Sequence, residues 1–268
     1  MAKPLLSDEL WERIEALLPP LPQHPKGGRP WIDNRLALTG ILFVLRTGIP
    51  WELLPQEMGC GCGMTCWRRL RDWHTAGVWD RLHLLLLTEL NAADRIDWSR
   101  AVVDSAMLRA MCGGSKTGPN PTDRRKPGSK HHALTDANGV PLVVILTAAN
   151  VHDVNELLPL VDAIPSIGGK RGRPRTHPER VQADTAYDSE RHRQALRNRG
   201  IVPVIPHRGR EHGSGLGVFR WVVERTLSWL HQFRRLRIRW ERRDDIHEAF
   251  ITLAEAMICM NIVGIGLC

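Results

Sequence analysis

Apolar residues in the first hundred positions recur every three to four residues, a spacing typical of amphipathic helices. This pattern predicts helices at residues 8–18, 33–47 and 64–74, and Ser7 can cap the first of them. Two helices joined by a short turn can present the second helix to the major groove of DNA. A small helical bundle of any other function would give the same pattern.

From Arg100 onward the apolar positions form short β-branched runs separated by turns. Asp136-Ala137-Asn138-Gly139 is a strong hairpin signal, and Asp153 can cap the helix that follows the hairpin. The predicted strands are 100–105, 131–136, 140–149, 180–183 and 201–205, the predicted helices are 154–163, 189–198 and one from about 218, and the predicted loops include 111–129 and the basic segment 168–175.

The order of these elements over residues 100–231 is β-β-β-α-β-α-β-α, which is the order of a ribonuclease-H-like domain. We therefore predict an α/β fold in which a mixed sheet is flanked by helices. A helical, helix-turn-helix-like DNA-binding domain is expected at residues 1–95. The ribonuclease-H-like catalytic domain is expected at residues 96–268.

The positive charge of the chain is confined to its second part. The formal net charge is +8, and residues 101–268 hold 25 Lys and Arg against 17 Asp and Glu, whereas residues 1–100 hold 12 of each. A basic excess in one region favours a polyanion-binding surface, because Lys and Arg displace phosphate counterions. A merely solvated basic surface would have the same composition.

Composition also bears on compartment and metal content. The sequence has no uninterrupted apolar run of about 18 residues, and acids interrupt its first twenty positions, so we expect a cytoplasmic protein without a membrane segment. The six cysteines are scattered, which is typical of a reducing compartment. Cys60, Cys62 and Cys66 with His74 could hold zinc, but their spacing lacks the C-x2-C knuckle, and buried or turn cysteines are the preferred interpretation.

Three acids fall at positions where their side chains can meet. Asp104 lies at the end of the first predicted strand, Asp184 follows the fourth, and Glu224 lies in the last predicted helix. Strand ends open onto a shared crevice, and a helix across the sheet can add a third carboxylate. Carboxylates are the ligands that Mg²⁺ and Mn²⁺ prefer, and two such ions can catalyse phosphodiester transfer.

Each acid taken alone has a structural interpretation. Asp104 could end a strand, Asp184 could cap the next segment, and Glu224 could pair with Arg220 on a helix surface. The joint placement of the acids favours catalysis. Arg220, Glu224 and His231 also share one helical face, and eight arginines lie between positions 220 and 243, more than solubility requires.

Several segments resemble the transposases of the IS-five family of insertion sequences. RWVVERTLSWLHQFRRLRIRWERR around Glu224 is similar to their C-terminal signature, and AVVDS and ADTAYDS are similar to their first and second acid motifs. LSDELWERIEALLP, GIPWELLP and GMTCWRRLRDW resemble their N-terminal region. The family pattern has a tyrosine and a lysine where this chain has Gly217 and His231. Arg234 or Arg235 could replace the lysine as a phosphate contact.

The resemblance implies a DDE transposase. Such an enzyme binds the terminal inverted repeats of its own element, cuts with two Mg²⁺ or Mn²⁺ ions and joins the freed 3′-hydroxyl to target DNA, as a homodimer or larger synaptic complex associated with the nucleoid. Asp104, Asp184 and Glu224 are the expected catalytic and metal-binding residues. The expected DNA contacts are Arg68, Arg69, Arg71, Lys130, Lys170, Arg171, Arg173, Arg175, Arg220, Arg225, His231, Arg234 and Arg235.

Two other functions are compatible with the sequence. One is a transposase-derived, sequence-specific DNA-binding regulator that has lost catalysis, against which the intact acids argue. The other is a metal-dependent nuclease that cuts DNA without joining it. In either case the sole tyrosine, Tyr187, is not expected to act as a nucleophile.

Overall fold

A computed structural model describes residues 4–21, 30–209 and 217–264. The helices are α1 Asp8–Glu15, α2 Asn34–Thr47, α3 Gly63–Thr75, α4 Val78–Ala92, α5 Asp153–Asp162, α6 Glu190–Asn198, α7 Gly217–Gln232, α8 Arg234–Arg237 and α9 Asp244–Val263. The strands are β1 Ala101–Arg109, β2 Gly118–Pro119, β3 Pro127–Asp136, β4 Pro141–Ala148, β5 Arg180–Gln182 and β6 Val202–Val204. Short 3-10 turns occupy Trp51–Leu53, Gln56–Met58 and Thr185–Tyr187.

The capping residues define where the early helices begin. Ser7 accepts a hydrogen bond from the Leu10 amide at the start of α1, and Asp33 accepts one from the Leu36 amide at the start of α2. Gly48 ends α2 in the left-handed conformation, with φ of 74°. The cap predicted at Asp153 is wrong, because His152 holds the N-cap position of α5 and Asp153 is its first helical residue.

The strands form one mixed sheet of the predicted ribonuclease-H-like type. Strand β1 is central: it pairs antiparallel with β3 on one side and parallel with β5 on the other. Strand β4 extends the sheet beyond β3, and β6 extends it beyond β5. The predicted α/β fold is confirmed by this strand order and by the helices that flank the sheet.

The central strands are longer than predicted. Strand β1 continues to Arg109, which pairs with Gly128 near the start of β3, and β2 pairs with the same end of β3. The loop predicted at residues 111–129 is therefore shorter, since its last residues belong to β3. The Gly, Pro and basic residues of this segment are typical of a loop. Its last residues nevertheless form part of a strand, because neighbouring strands pair with their backbone groups on both sides.

Helices cover both faces of the sheet. On one face, α7 packs against β1 and β3 through Val102, Ala133, Val223 and Leu227. On the opposite face lies α5, whose Asp153 bonds to Lys130 of β3. Since alternate residues of a strand point to opposite faces, residues 104 and 133 face α7, whereas residues 105, 130 and 132 face α5.

The N-terminal helices share a core with the rest of the chain. One cluster of buried apolar residues runs from Leu6 in the N-terminal segment to Met260 in α9, because α9 packs against both α4 and β4. Helix α9 is long and apolar enough to cross a membrane, but 72% of that stretch is buried inside the protein, as in a core helix. The domain boundary predicted at residue 95 thus lies within a continuous hydrophobic core.

Candidate active site

Asp104 is a buried carboxylate near the middle of the central strand. Its relative exposure is 8%, and it stands opposite Ala133 of β3 on the face that α7 covers. One of its oxygens, Oδ1, accepts a hydrogen bond of 2.8 Å from the Ser105 amide. The second oxygen, Oδ2, is directed to a basic side chain of α7.

Asp184 reaches the same region because β5 runs parallel to β1. Val102 of β1 pairs with Gln182 of β5, and the chain leaves the sheet two residues later. Asp184 caps the 3-10 turn that follows, where its Oδ1 accepts a hydrogen bond of 2.8 Å from the Ala186 amide. This amide fixes the orientation of the carboxylate and leaves Oδ2 for another partner.

Glu224 approaches from the helix that crosses the sheet. It lies in the middle of α7, one turn after Arg220, and is exposed. Val223 and Leu227 of the same helix are buried against β1 and β3. Packing of this apolar pair holds the helix in place, and the glutamate projects at the edge of the contact.

A single guanidinium joins the three acids. Arg220 Nε lies 3.2 Å from Asp104 Oδ2 and 3.1 Å from Glu224 Oε1, and Arg220 Nη1 lies 3.7 Å from Asp184 Oδ2. The sequence predicts the pairing of Arg220 with Glu224, but its pairing with the two aspartates depends on the tertiary fold. The structure therefore brings all three predicted ligands around one cationic group.

The electrostatics of this cluster are set by burial as much as by pairing. Burial raises the pKa of Asp104, although the Ser105 amide and Arg220 both favour its ionised form. Partial burial lowers the pKa of Arg220, but the carboxylates of Asp104, Asp184 and Glu224 together raise it above its ordinary value. A buried carboxylate with a raised pKa gains from an added positive charge, such as a cation.

The donor set fits a hard divalent cation. Three carboxylates from three separate elements already surround one positive charge, and carboxylate oxygens are the ligands that Mg²⁺ and Mn²⁺ prefer. Within the described ranges, no three His, Cys, Asp or Glu side chains are close enough to one another to hold an ion as they stand. We attribute this spacing to the guanidinium, which is larger than a metal ion and separates the acids.

A second ionic group supports the site from the other face of the sheet. Lys130, predicted to contact DNA, is 3% exposed and donates to Asp153 Oδ1 and to the Val151 carbonyl, each at 2.9 Å. The Ser105 hydroxyl donates to the same Asp153 oxygen at 2.8 Å. The prediction that Lys130 contacts DNA is corrected, because its ammonium is buried and paired with Asp153 on the face of the sheet that α5 covers.

His231 faces the interior rather than a phosphate position. Its Nε2 lies 3.3 Å from His131 Nδ1, and His131 Nε2 lies 3.0 Å from His247 Nε2. Burial lowers the pKa of His231 and lowers that of His247 to about 3, so these rings are neutral near pH 7. A neutral, half-buried imidazole cannot replace the permanent charge of a lysine.

Two further predicted DNA contacts are also corrected. Arg235 is 5% exposed, donates to Glu241 Oε1 at 2.6 Å through Nη2 and donates to the Ile49 carbonyl at 3.0 Å. Arg69 is 8% exposed and packs 5.0 Å from the ring centroid of Trp31. Both guanidinium groups are engaged inside the protein and cannot reach a DNA backbone as the protein stands.

The other predicted basic contacts are at least partly exposed. Arg68 and Arg71 are on the outer side of α3, and Arg234 is exposed on α8. Arg225 is half-buried between two tryptophans of α7, 4.7 Å from the Trp221 ring centroid and 4.5 Å from that of Trp229, and its Nη2 donates to the Asn138 carbonyl. The basic loop, which we define as residues 170–175, lines a pocket of about 460 Å³ together with Trp98. Its charged residues, Lys170, Arg171, Arg173 and Arg175, are exposed.

The cysteines near α3 have a packing role. Cys60 and Cys66 are buried, and Cys66 donates to the Cys60 carbonyl at 3.3 Å. A Cβ on Gly40 of α2 would lie 2.7 Å from Cys66 Sγ, which shows how closely the thiols approach that helix. Burial raises the pKa of Cys66 to about 12, so this thiol is protonated near pH 7.

Comparisons with known proteins agree over almost the whole chain. Residues 6–83 match a family model described as "Putative transposase of IS4/5 family", and residues 97–215 and 181–261 each match one described as "Transposase DDE domain". These matches together span the helical region, the sheet and α7.

Individual relatives carry similar names. The chain is 68% identical over 162 residues, 60% of its length and 75% of the relative's, to the "Putative transposase for insertion sequence element IS402" of Burkholderia cepacia. It is 62% identical over 129 residues, 47% of its length and 88% of the relative's, to an uncharacterized 16.2 kDa protein of the same element. It is 32% identical over 121 residues, 40% of its length and 37% of the relative's, to the transposase for insertion sequence element IS1106 of Neisseria meningitidis serogroup B.

Arg234 and Arg235 are adjacent in sequence, but Arg235 is buried and Arg234 is exposed. This difference tests whether Arg235 stabilises the fold rather than contacting DNA. Replacement Arg235→Ala leaves the Glu241 carboxylate buried without its partner, and we expect the free energy of unfolding to fall by about 3–5 kcal/mol. The matched replacement Arg234→Ala removes an exposed side chain and should change it by less than about 0.5 kcal/mol. Urea unfolding of both variants measures the difference, and equal stabilities would contradict a structural role for Arg235.

Proposed function

The chain belongs to the IS4/5 family of insertion-sequence transposases and carries their DDE domain, and from this premise we propose that Asp104, Asp184 and Glu224 are its catalytic acids. As a DDE transposase it is an enzyme of DNA cleavage and joining. The proposed substrates are the terminal inverted repeats of its own element and a target DNA. The freed 3′-hydroxyl at the element end is the proposed attacking group in the joining step.

The observation that carries this proposal is the meeting of the three carboxylates around Arg220. Asp104 and Asp184 each have one oxygen fixed by a backbone amide, which orients the other toward the same centre. Glu224 is the exposed member and adjusts more freely from its helix. Fixed ligands on the sheet and one adjustable ligand at the surface suit a site that must admit DNA.

DDE chemistry uses divalent metal, and the proposed cofactor here is a pair of Mg²⁺ or Mn²⁺ ions held by these three acids. Bound ions of this kind activate the attacking oxygen and stabilise charge on the leaving oxygen of a phosphodiester. The protein's own contribution is positioning, because both cleavage and joining are in-line transfers at phosphorus. No covalent protein–DNA bond is required. Tyr187 is also unsuited to form one, since burial raises the pKa of its hydroxyl far above the ordinary value.

DNA binding is proposed to use two separate basic surfaces. Arg68 and Arg71 on the outer side of α3 are the proposed base-reading residues. The basic loop is the proposed contact to phosphates, and its charged side chains are exposed. Arg225 and Arg234 extend the phosphate contacts along α7 and α8. A homodimer or larger synaptic complex associated with the nucleoid is the proposed working assembly, because two element ends must be held together.

Replacement of the acids tests the catalytic proposal. Asp104→Asn, Asp184→Asn and Glu224→Gln each remove a charged ligand while keeping the side-chain shape, so strand cleavage and joining should fall about a hundredfold or more. The exposed Glu190→Gln on α6 is the control and should retain activity. Mg²⁺-dependent nicking and strand-transfer assays measure both steps, alongside binding to element-end DNA, which should persist in all variants.

Each rival function gives a different result in these assays. A regulator without catalysis would show no metal-dependent nicking in the unaltered protein. A nuclease would nick DNA without strand-transfer products. Near-normal activity of any one acid variant would show that this acid is wrongly assigned.

A second pair of variants separates base reading from phosphate contact. Arg68→Ala with Arg71→Ala should lower affinity for element-end DNA more than for random DNA, because base-edge contacts specify sequence. Arg171→Ala with Arg173→Ala should weaken binding to both DNAs alike and reduce the slope of log affinity against log salt by about 2. Fluorescence anisotropy with both DNAs at several salt concentrations provides the measurement. An equal loss for the two DNAs in the α3 variant would contradict the base-reading role.

A further inference from the structure

We propose that Arg220 is a built-in placeholder for the divalent cations: it holds the three carboxylates together before metal binds and is then released toward the DNA backbone. The inference rests on the proposed function of Asp104, Asp184 and Glu224. It assigns to Arg220 a positioning role that a contact with DNA alone would not give. The role also makes metal binding and DNA binding depend on each other.

Arg220 pairs with the aspartate oxygens that no backbone amide occupies. Oδ1 of Asp104 and Oδ1 of Asp184 accept hydrogen bonds from the Ser105 and Ala186 amides. The oxygens that face Arg220 are Oδ2 of both aspartates and Oε1 of Glu224. An incoming cation that uses these oxygens must displace the guanidinium from them, so the two cations compete.

The guanidinium of Arg220 is larger than a divalent metal ion and holds the carboxylates farther apart than a metal would. The distances from Arg220 nitrogens to the three acids are 3.1 to 3.7 Å, whereas Mg²⁺ binds oxygen at about 2.1 Å. A carboxylate cluster spaced for a guanidinium is therefore too open for the metal. The acids can close in only after the guanidinium has moved out.

The side chain of Arg220 can move into solvent without moving the buried carboxylate of Asp104. The side chain of Arg220 is 48% exposed, whereas that of Asp104 is 11% exposed. Rotation of the arginine into solvent breaks ion pairs but removes no residue from the apolar core. Arg220 also lies near the start of α7, and a guanidinium pairs well with phosphate oxygens.

Coupling between metal and DNA follows from the displacement. A metal ion that binds without DNA must displace Arg220 into water, at a cost in ion pairing. When a DNA phosphate receives the guanidinium, this cost is reduced. By linkage, DNA must then raise metal affinity by the same factor as metal raises DNA affinity.

Metal binding to the full chain tests the proposal directly. Mn²⁺ affinity without DNA should rise about tenfold in Arg220→Gln, a typical size for coupling between two ligands. Arg220→Lys keeps the charge but cannot bridge three oxygens, and its affinity should lie between those of the unaltered protein and Arg220→Gln. Arg197→Gln is the charge-matched control, since Arg197 pairs with Glu190 on the exposed side of α6, and it should bind Mn²⁺ like the unaltered protein. Isothermal titration calorimetry or the electron paramagnetic resonance of free Mn²⁺ gives the affinities.

A second readout follows DNA affinity with and without Mn²⁺, using a duplex of random sequence. The unaltered protein and Arg197→Gln should bind this duplex several times more tightly with Mn²⁺, and Arg220→Gln should lose that gain. The proposal is overturned if Arg220→Gln binds Mn²⁺ no more tightly than Arg197→Gln, or if its DNA affinity still responds to Mn²⁺. If Arg220→Gln does not fold, Arg220→Lys decides the question, and Mn²⁺ affinity equal to that of the unaltered protein overturns the proposal.

The variant Asp104→Asn separates this inference from the function on which it rests. If the unaltered protein binds Mn²⁺, Asp104→Asn does not, and Arg220→Gln has no effect, the placeholder role fails while the catalytic site stands. If Mn²⁺ binding is the same in the unaltered protein and in Asp104→Asn, the acids are not metal ligands and both proposals fail.

Discussion

The carboxylate of Asp104 is buried within the central strand and is stabilised by a positive partner. The other contacts of the site depend on this ion pair. Asp104 loses hydration where β1 is covered by α7, and Arg220 of that helix supplies the nearest positive charge. The same guanidinium reaches Asp184, because β5 runs parallel to β1, and Glu224, because it lies one helical turn away. Sheet topology and helix periodicity therefore converge on one ionic cluster.

Burial also decides which basic residues are available to a polyanion. Lys130 and Arg235 are nearly inaccessible and are each held by a carboxylate, Asp153 and Glu241. Removing one member of such a pair leaves an uncompensated charge inside the protein, so these residues stabilise the fold around the site. The arginine-rich end of the chain thus serves two purposes, with some guanidinium groups inside and others facing solvent.

Local patterns predicted much of the fold. Helix caps, the hairpin turn and the β-branched runs are signals within a few residues, and they identified most of the helices and strands and their order along the chain. The contact of Arg220 with Asp104 joins positions 116 residues apart, and no local pattern encodes it. For the same reason, His231 could be placed on the helical face of Glu224, but its burial against His131 could not be foreseen.

The most direct measurement of the account is the position of Mn²⁺ in a crystal of the full chain, located by anomalous scattering. The account predicts manganese bound to Asp104 Oδ2, with Asp184 and Glu224 drawn in around it and the Arg220 guanidinium displaced from all three. Manganese bound elsewhere, while Arg220 still bridges the three carboxylates, would contradict it.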